Sequence, residues 1–383
     1  NLNLPALNEV SCSGSLYTFT PTFNLSGSTY TWTRVPTAGI TPFLPAGGGG
    51  SSAISETLTN TTASTIEVTY QITAVATTLN GGCSKTSELK VQVEPKPSAA
   101  GAITGPITVC EGAVDQEYSV ALIPNATSYQ WTVPTGAVIT SGLNSNVVKV
   151  NFGTATSATI SVKGINLCGE GLVSVVPITV ISLPTLTSTL NPAPICSGSE
   201  FTYTPISSDS STTFTWTRAV KAGISNPAST GTGNIIETLT NTTTSPIDVI
   251  YEYQLENRQG CISIKQVTVK VNPTPNLNLP ALNEVTCSGS VYNYTPDFSL
   301  TGSTYTWTRV PMVGITPFLP VGGGGSSTIS EPLTNTTTAT IEVTYQITAV
   351  ATTLNGGCSK TSELKVRVEP SPSAAGAITG PIT

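Results

Sequence analysis

Eight cysteines and no histidine set the chemistry open to this chain. Without imidazole there is no Ser-His-Asp or Cys-His nucleophile, no His-ligated metal and no imidazole pH switch. The cysteines are Cys12, Cys83, Cys110, Cys168, Cys196, Cys261, Cys287 and Cys358. Their even number, wide spacing and lack of any C-x-x-C point to disulfides, not to metal or redox use. Disulfides imply an extracellular or cell-surface location.

The other candidates are weaker. The glycine runs Gly47–Gly50 and Gly322–Gly325 lack the Lys-Ser/Thr and helix of a phosphate loop, and read as a variable loop. "SELK" at Ser87–Lys90 and Ser362–Lys365 has the S-x-x-K spacing of penicillin-recognising enzymes. On a strand, however, its serine and lysine face opposite ways. Acidic residues are too scattered for a calcium cage. Asn24, Asn60, Asn125, Asn241 and Asn335 fit N-x-Ser/Thr, and "LTNTT" reads as turn chemistry ahead of glycosylation. Arg34, Arg218 and Arg309 each follow a tryptophan by two and share its face. Each is expected at a strand end reaching solvent or stacked on an aromatic, in a structural role. No catalytic residue, cofactor or metal site is expected.

The elements that position these residues repeat. "NLNLPALNEVSCSGS" at Asn1 returns as "NLNLPALNEVTCSGS" at Asn276, and the copy runs without a gap to Thr383. In the first copy "GAITGPIT" is followed by Val109-Cys110, so the chain reads as a window on a longer repetitive polymer. The cysteines fall two to a unit, 71, 58, 65 and 71 residues apart, with Trp32, Trp131, Trp216 and Trp307 coming 20, 21, 20 and 20 residues after the first of each pair. Proline-rich joints follow Val93, Ile181, Val271 and Val368. The resulting modules are 1–95 (type A), 96–182 (type B), 183–273 (type C) and 274–370 (type A again), with 371–383 starting a further type B unit. One bridge per module is expected: Cys12–Cys83, Cys110–Cys168, Cys196–Cys261 and Cys287–Cys358.

Thr, Ser, Val, Gly and Pro dominate, and the alternation has period two. Tyr17, Phe19 and Phe23 share one face, as do Tyr30 and Trp32, and Ile66, Val68, Tyr70, Ile72 and Ala74. About seven short strands, a core tryptophan and a cysteine pair per module give an all-β tandem array of immunoglobulin-like sandwiches. Pro-rich joints are semi-rigid, so four modules set end to end should form a rod of roughly 150 Å. Charged residues make up 9% of the chain with net charge −6, which disfavours nucleic acid. No run is long and apolar enough to span a bilayer.

The string "CSGSxYTYTP … TWTR … LTNTT … GGC … VxVxP" resembles the PKD-like repeats of giant Bacteroidota surface proteins, among them the SprB-like gliding-motility adhesins. "ITGPITVCEGA … YQWTVPTGAVI … NLCGEG" resembles a sister repeat. "TWTRVP" stands where original PKD domains carry a WDFGDG-like string, so the relation is to a divergent branch. The resemblance implies type IX export and display as filaments moved along the cell surface. The expected function is a structural stalk segment of such an adhesin, with neighbouring repeats, extracellular polysaccharide or surface, and the gliding and secretion machinery as partners. Carbohydrate-binding modules and accessory repeats of an exported enzyme are the alternatives.

Overall fold

The computed structural model describes residues 1–3, 9–43, 48–50, 52–279, 284–318 and 327–372. The described chain is all-β apart from two single-turn 3-10 helices, Thr78–Asn80 and Thr353–Asn355. It divides into two compact units, Asn1–Leu183 and Pro184–Thr383. Each unit holds two separate apolar cores. The Gly322–Gly325 run and residues 373–383 of the expected further unit lie outside the described residues.

Each core is closed by two sheets facing one another. In the first module one sheet runs Glu9–Cys12, Ser84–Glu94, Ile66–Val75, Thr29–Arg34, Gly48–Gly50. Facing it are the pairs Leu16–Phe19 with Ile54–Thr57 and Ile40–Thr41 with Thr59–Asn60. The alternation read from sequence is the alternation of burial. Tyr17, Tyr30, Trp32, Val68, Tyr70 and Ile72 point into the core, while Leu16 and Thr18 face out. Trp131, Trp216 and Trp307 are buried in the same way.

The glycine run has a different role from the loop read in the sequence. Gly48–Gly50 forms an edge strand against the tryptophan strand, with Trp32 paired to Gly48. The third module pairs Trp216 to Gly231, where a Cβ would lie 2.6 Å from the indole ring. Glycine is required there because the ring occupies the space a side chain would need.

The arginines are a second correction. Arg34 and Arg309 are 1% exposed and Arg218 is 2% exposed, deep in the cores and not at solvent-reaching ends. Arg34 Nε donates to Glu56 Oε2 at 3.0 Å, and Tyr70 donates its hydroxyl to the same oxygen at 2.7 Å. Arg309, Glu331 and Tyr345 repeat this at 3.1 and 2.8 Å, and Arg218, Glu237 and Tyr251 at 2.8 and 2.5 Å. In each, Arg Nη2 also donates to the carbonyl of Pro42, Pro317 or Pro227. The tryptophan packs edge-on against the triad tyrosine, with ring centroids 5.8, 5.5 and 5.8 Å apart. The stacking expectation is met once, where Arg218 lies 6.0 Å over Tyr251.

The second module has no such triad. The positions in the same register are Val133, Val148 and Ile160, and Val148 and Ile160 are fully buried. One sandwich is thus built with two core centres, charged and apolar.

Burial raises the carboxyl of Glu237, but hydrogen bonds from Arg218, Tyr251 and Ser229 outweigh it and hold the group below its ordinary value. A depressed folded value adds stability above the unfolded value near 4.5, lost as pH falls through the folded one. The third module should therefore weaken in acid below about pH 4.5, and Glu237→Gln should flatten that limb of a pH–Tm curve. Removing one partner leaves a charge buried alone, so Glu237→Val should cost about 3–5 kcal/mol. Adding Arg218→Val and Tyr251→Ile, the apolar set of the second module, should restore part of it. Equal or greater loss in the triple variant, by denaturant unfolding, would contradict the equivalence of the two core centres.

Candidate functional site

The ends of the sandwiches carry what the recurrent motifs were for. Glu9–Cys12 is a short edge strand that runs parallel to the last strand, with Cys12 level with Glu94. Cys110, Cys196 and Cys287 stand level with Ile181, Asn272 and Glu369 in the same parallel pairing. Each first cysteine therefore sits at the trailing end of its module, beside the proline joint to the next. Each second cysteine lies at the opposite, leading end. Cys83 immediately precedes the 11-residue strand Ser84–Glu94. At about 3.3 Å per residue the two cysteines of one module are roughly 35 Å apart, far beyond the 4.4–6.8 Å that a disulfide tolerates between Cα atoms.

The four within-module bridges read from the sequence are thereby overturned. Cys12 is bonded to Cys168 of the second module, with Cα atoms 5.1 Å apart. Cys196 of the third module is bonded to Cys358 of the fourth, at 5.7 Å. Cys110 and Cys261 are also in disulfide form. Cys83 and Cys287 carry free, exposed thiols, so not all eight cysteines are bridged. The first cysteine of one module joins the second cysteine of the next, and the bridge holds modules together instead of closing one.

The trailing end is built by "CSGS", "LTNTT" and "VxVxP" acting on one another. Asn60 donates its backbone N–H to Ser13 Oγ at 2.9 Å, and Gly14 N–H donates to the Leu58 carbonyl. The Asn60 side chain donates to the carbonyls of Ser64 and Val93, and its Oδ1 accepts from Thr62 N–H and Oγ1. Asn241 and Asn335 do the same with Ser197 and Ser288. These asparagines are buried, their amides already spent on the fold, which is the turn chemistry expected of them.

The joint of the first unit is packed as well as bridged. Asn166 Nδ2 donates to the carbonyls of Pro95 and Asn125 at 2.9 and 3.0 Å, and its Oδ1 accepts from Cys168 N–H. Asn125 Nδ2 donates across the joint to the Ala63 carbonyl at 2.7 Å. The proline linker is absorbed into the second module, with Ser98 N–H on the Pro124 carbonyl and Ala100 N–H on that of Leu172. In the second unit Asn272, at the trailing end, lies against Gly356 at the leading end of the next module. Gly356 has φ +76°, and a Cβ there would fall 2.0 Å from Asn272 Nδ2. In the third module Asn257 Oδ1 accepts from Cys261 N–H, as Asn166 does from Cys168.

No pairing of serine and lysine chemistry forms at "SELK". Ser87 and Lys90 lie on opposite faces of their strand, and Lys90 makes an exposed ion pair with Glu67 at 2.8 Å.

A family model described as PKD-like domain matches residues 9–97, 193–275 and 284–372, and a second of the same description matches residues 96–178. The chain belongs to the PKD-like domain family. The three segments of the first model are the modules with the Arg–Glu–Tyr triad, and the segment of the second is the module with the apolar core centre. No curated protein matches the sequence. Among solved structures the chain is similar to the titin I-band fragment I67–I69, at 10% identity over 72% of this chain and 97% of that one, with a TM-score of 0.31. It is also similar to the human desmocollin-1 ectodomain, at 12% identity over 98% and 80%, TM-score 0.29. The N-terminal eight Ig domains of Down syndrome cell adhesion molecule match at 11% identity over 94% and 53%, TM-score 0.30.

Asn125 was singled out only as an N-x-Ser/Thr position, and the residues missed are Asn166, which with Asn125 clamps the PKD-like joint, and the triad glutamates. Asn166, two before Cys168, was visible in "NLCGEG", but nothing local distinguishes a clamp from a turn. Non-reducing peptide mapping should recover Cys12–Cys168 and Cys196–Cys358, with Cys83 and Cys287 alone alkylated before reduction. Asn166→Ala leaves two carbonyls and one N–H at the joint to find other partners. It should cost about 1–3 kcal/mol, read as faster hydrogen exchange at Pro95–Ala100 while the cores keep their protection.

Proposed function

We propose that these PKD-like modules are a stalk segment of a long bacterial cell-surface adhesin filament, parsed as 1–95, 96–182, 183–273 and 274–370, and built to carry tension. The observation that carries this reading is the offset bridging. A pull applied at the N-terminal side reaches Cys12 and passes through sulfur to Cys168. It then follows the backbone to Cys196 and passes through sulfur again to Cys358. The bridged spans, separated by 156 and 162 residues in sequence, lie off the covalent path. Only the segment 168–196 remains in line between the two bridges. The disulfides suit an extracellular compartment. The motif resemblance supports the finer reading, a gliding-motility adhesin of the SprB-like kind exported by the type IX system.

The carbohydrate-binding alternative needs exposed rings. In the third module Phe201, Tyr203, Trp216, Tyr251 and Tyr253 are buried in the core, which lends it no support there.

Single-molecule pulling between the termini tests the stalk reading. Oxidised chains should show no release between the bridges larger than the segment 168–196, about 90–100 Å at 3.3–3.6 Å per residue. With the bridges reduced, each span of about 156–162 residues becomes available, roughly 500–580 Å. Equal extension in both conditions would remove the mechanical argument for a stalk.

A further inference from the structure

Most polar side chains at the module ends are spent on the fold, but one group is not. At the joint of the second unit a cleft of about 480 Å³ opens between the third and fourth modules. Three segments line it. Ser197 and Thr240 come from the "CSGS" and "LTNTT" end of the third module, Thr274 and Asn276 from the proline linker, and Ser359 and Lys360 from the leading end of the fourth. The Cys196–Cys358 bridge joins two of these walls directly, since Ser197 follows Cys196 and Ser359 follows Cys358. The linker wall is tied to the fourth module, where Asn276 N–H donates to Ser299 Oγ at 3.0 Å. The cleft is therefore held in shape before any ligand arrives.

Lys360 is the only charged group among the described residues of the lining. Its Nζ donates to Asn276 Oδ1 at 2.6 Å, which fixes the ammonium at the linker and leaves two of its three N–H bonds open. That placement belongs to the type A module, because Lys85 donates to Asn1 Oδ1 in the same way at 2.8 Å. The hydroxyls of Thr240, Thr274 and Ser359 and the Asn276 side-chain amide N–H groups have no partner among the described residues. The first unit gives the contrast. Its joint cleft is about 220 Å³, its charged lining group is Glu94, and its Asn125 and Asn166 amides are already bonded at the joint.

We propose that the cleft between the third and fourth modules binds a polyhydroxylated carboxylate of the uronic-acid kind, with Lys360 on the carboxylate and Thr240, Thr274 and Ser359 on the ligand hydroxyls. One ammonium pairs with one carboxylate, and no acidic side chain among the described lining residues repels it. Hydroxyls both donate and accept, so they suit a ligand whose own groups are hydroxyls. The volume lies within the range of about 300–1,000 Å³ that small-molecule sites occupy, and such sites favour joints between domains. Recognition here is by charge and hydrogen bonds and not by stacking, so the buried rings of the third module do not bear on it. Two sources carry this chemistry, a free sugar acid and a unit of an acidic polysaccharide. The site does not depend on the stalk reading, which rests on the bridges.

Calorimetric titration of the oxidised 383-residue chain with galacturonate tests it, and should show one saturable site. Galactose lacks the carboxylate and acetate lacks the hydroxyls, so each should bind more weakly. Lys360→Gln should weaken galacturonate on the order of 10–100-fold, and Lys360→Arg should retain most of the affinity. Lys365 lies on the same strand but pairs with Glu342 outside the cleft, so Lys365→Gln should change nothing. Trigalacturonate separates the sources: tighter binding than the monomer marks a unit of an acidic polysaccharide, and equal or weaker binding marks a free sugar acid. Absence of saturable galacturonate binding, equal affinity in Lys360→Gln, or acetate binding as tightly as galacturonate would each overturn the proposal. Any of these failures would leave both printed bridges, and the pulling test of the stalk, as they are.

Discussion

The parallel pairing of a four-residue edge strand with the last strand of the same module is the constraint from which the rest follows. It carries Cys12 to the level of Glu94, the length of a strand away from Cys83. Disulfide geometry is strict, so the two cysteines of a module cannot meet. Each is instead delivered to a face that only another module can cover. The same pairing brings the "CSGS" turn beside "LTNTT" and the end of the last strand, where Asn60 ties all three segments together. Strand direction therefore decides both the bridge and the surface around it.

Inside the modules the cores show two solutions to one packing problem. The triad of arginine, glutamate and tyrosine is fully buried in two modules and nearly so in the third. Taking such charges from water costs several kcal/mol per ion, offset only by good geometry and further hydrogen bonds. The proline carbonyl that accepts from Arg Nη2 and the tyrosine hydroxyl that donates to the glutamate supply those bonds. The second module reaches the same fold with Val133, Val148 and Ile160, so the triad is not a requirement of the sandwich. It fixes the loop that holds Pro42, Pro227 or Pro317 against the tryptophan strand.

Much of this was legible in the sequence, for a physical reason. Period-two alternation is local, so Tyr30, Trp32, Val68, Tyr70 and Ile72 reveal their face without any knowledge of their neighbours. The repeat of 275 residues and the cysteine–tryptophan spacing identify modules in the same way. The bridges were not legible, because two cysteines per module says nothing about which ends they occupy. That depends on a long-range parallel pairing between Glu9–Cys12 and Val91–Glu94. The arginines were misplaced for a related reason. Their face was read correctly, but the compensating carboxylate lies 22, 19 and 22 residues away on the opposite sheet. The glycine run looked like a loop because glycine carries no alternation to read. In the third module the Trp216 indole over Gly231 explains why glycine stands in such a strand.

An in-module bridge would have made each module self-sufficient. The offset bridge gives each of two neighbouring modules half of one joint. Stability then becomes partly a property of neighbours, as in solenoid repeats where interface terms add to intrinsic ones. It also explains why the surfaces at module ends, and not a pocket, are where the recurrent motifs concentrate. The trailing end built by "CSGS" and "LTNTT" recurs three times, and it is met by "NLCGEG" at Cys168 in one joint and by "NGGC" at Cys358 in the other. Within each unit the sulfur path, the asparagine clamp or the glycine contact, and the absorbed proline linker all act on the same few residues between sandwiches. Sequence identity between distant modules thus preserves the fit of adjacent ones.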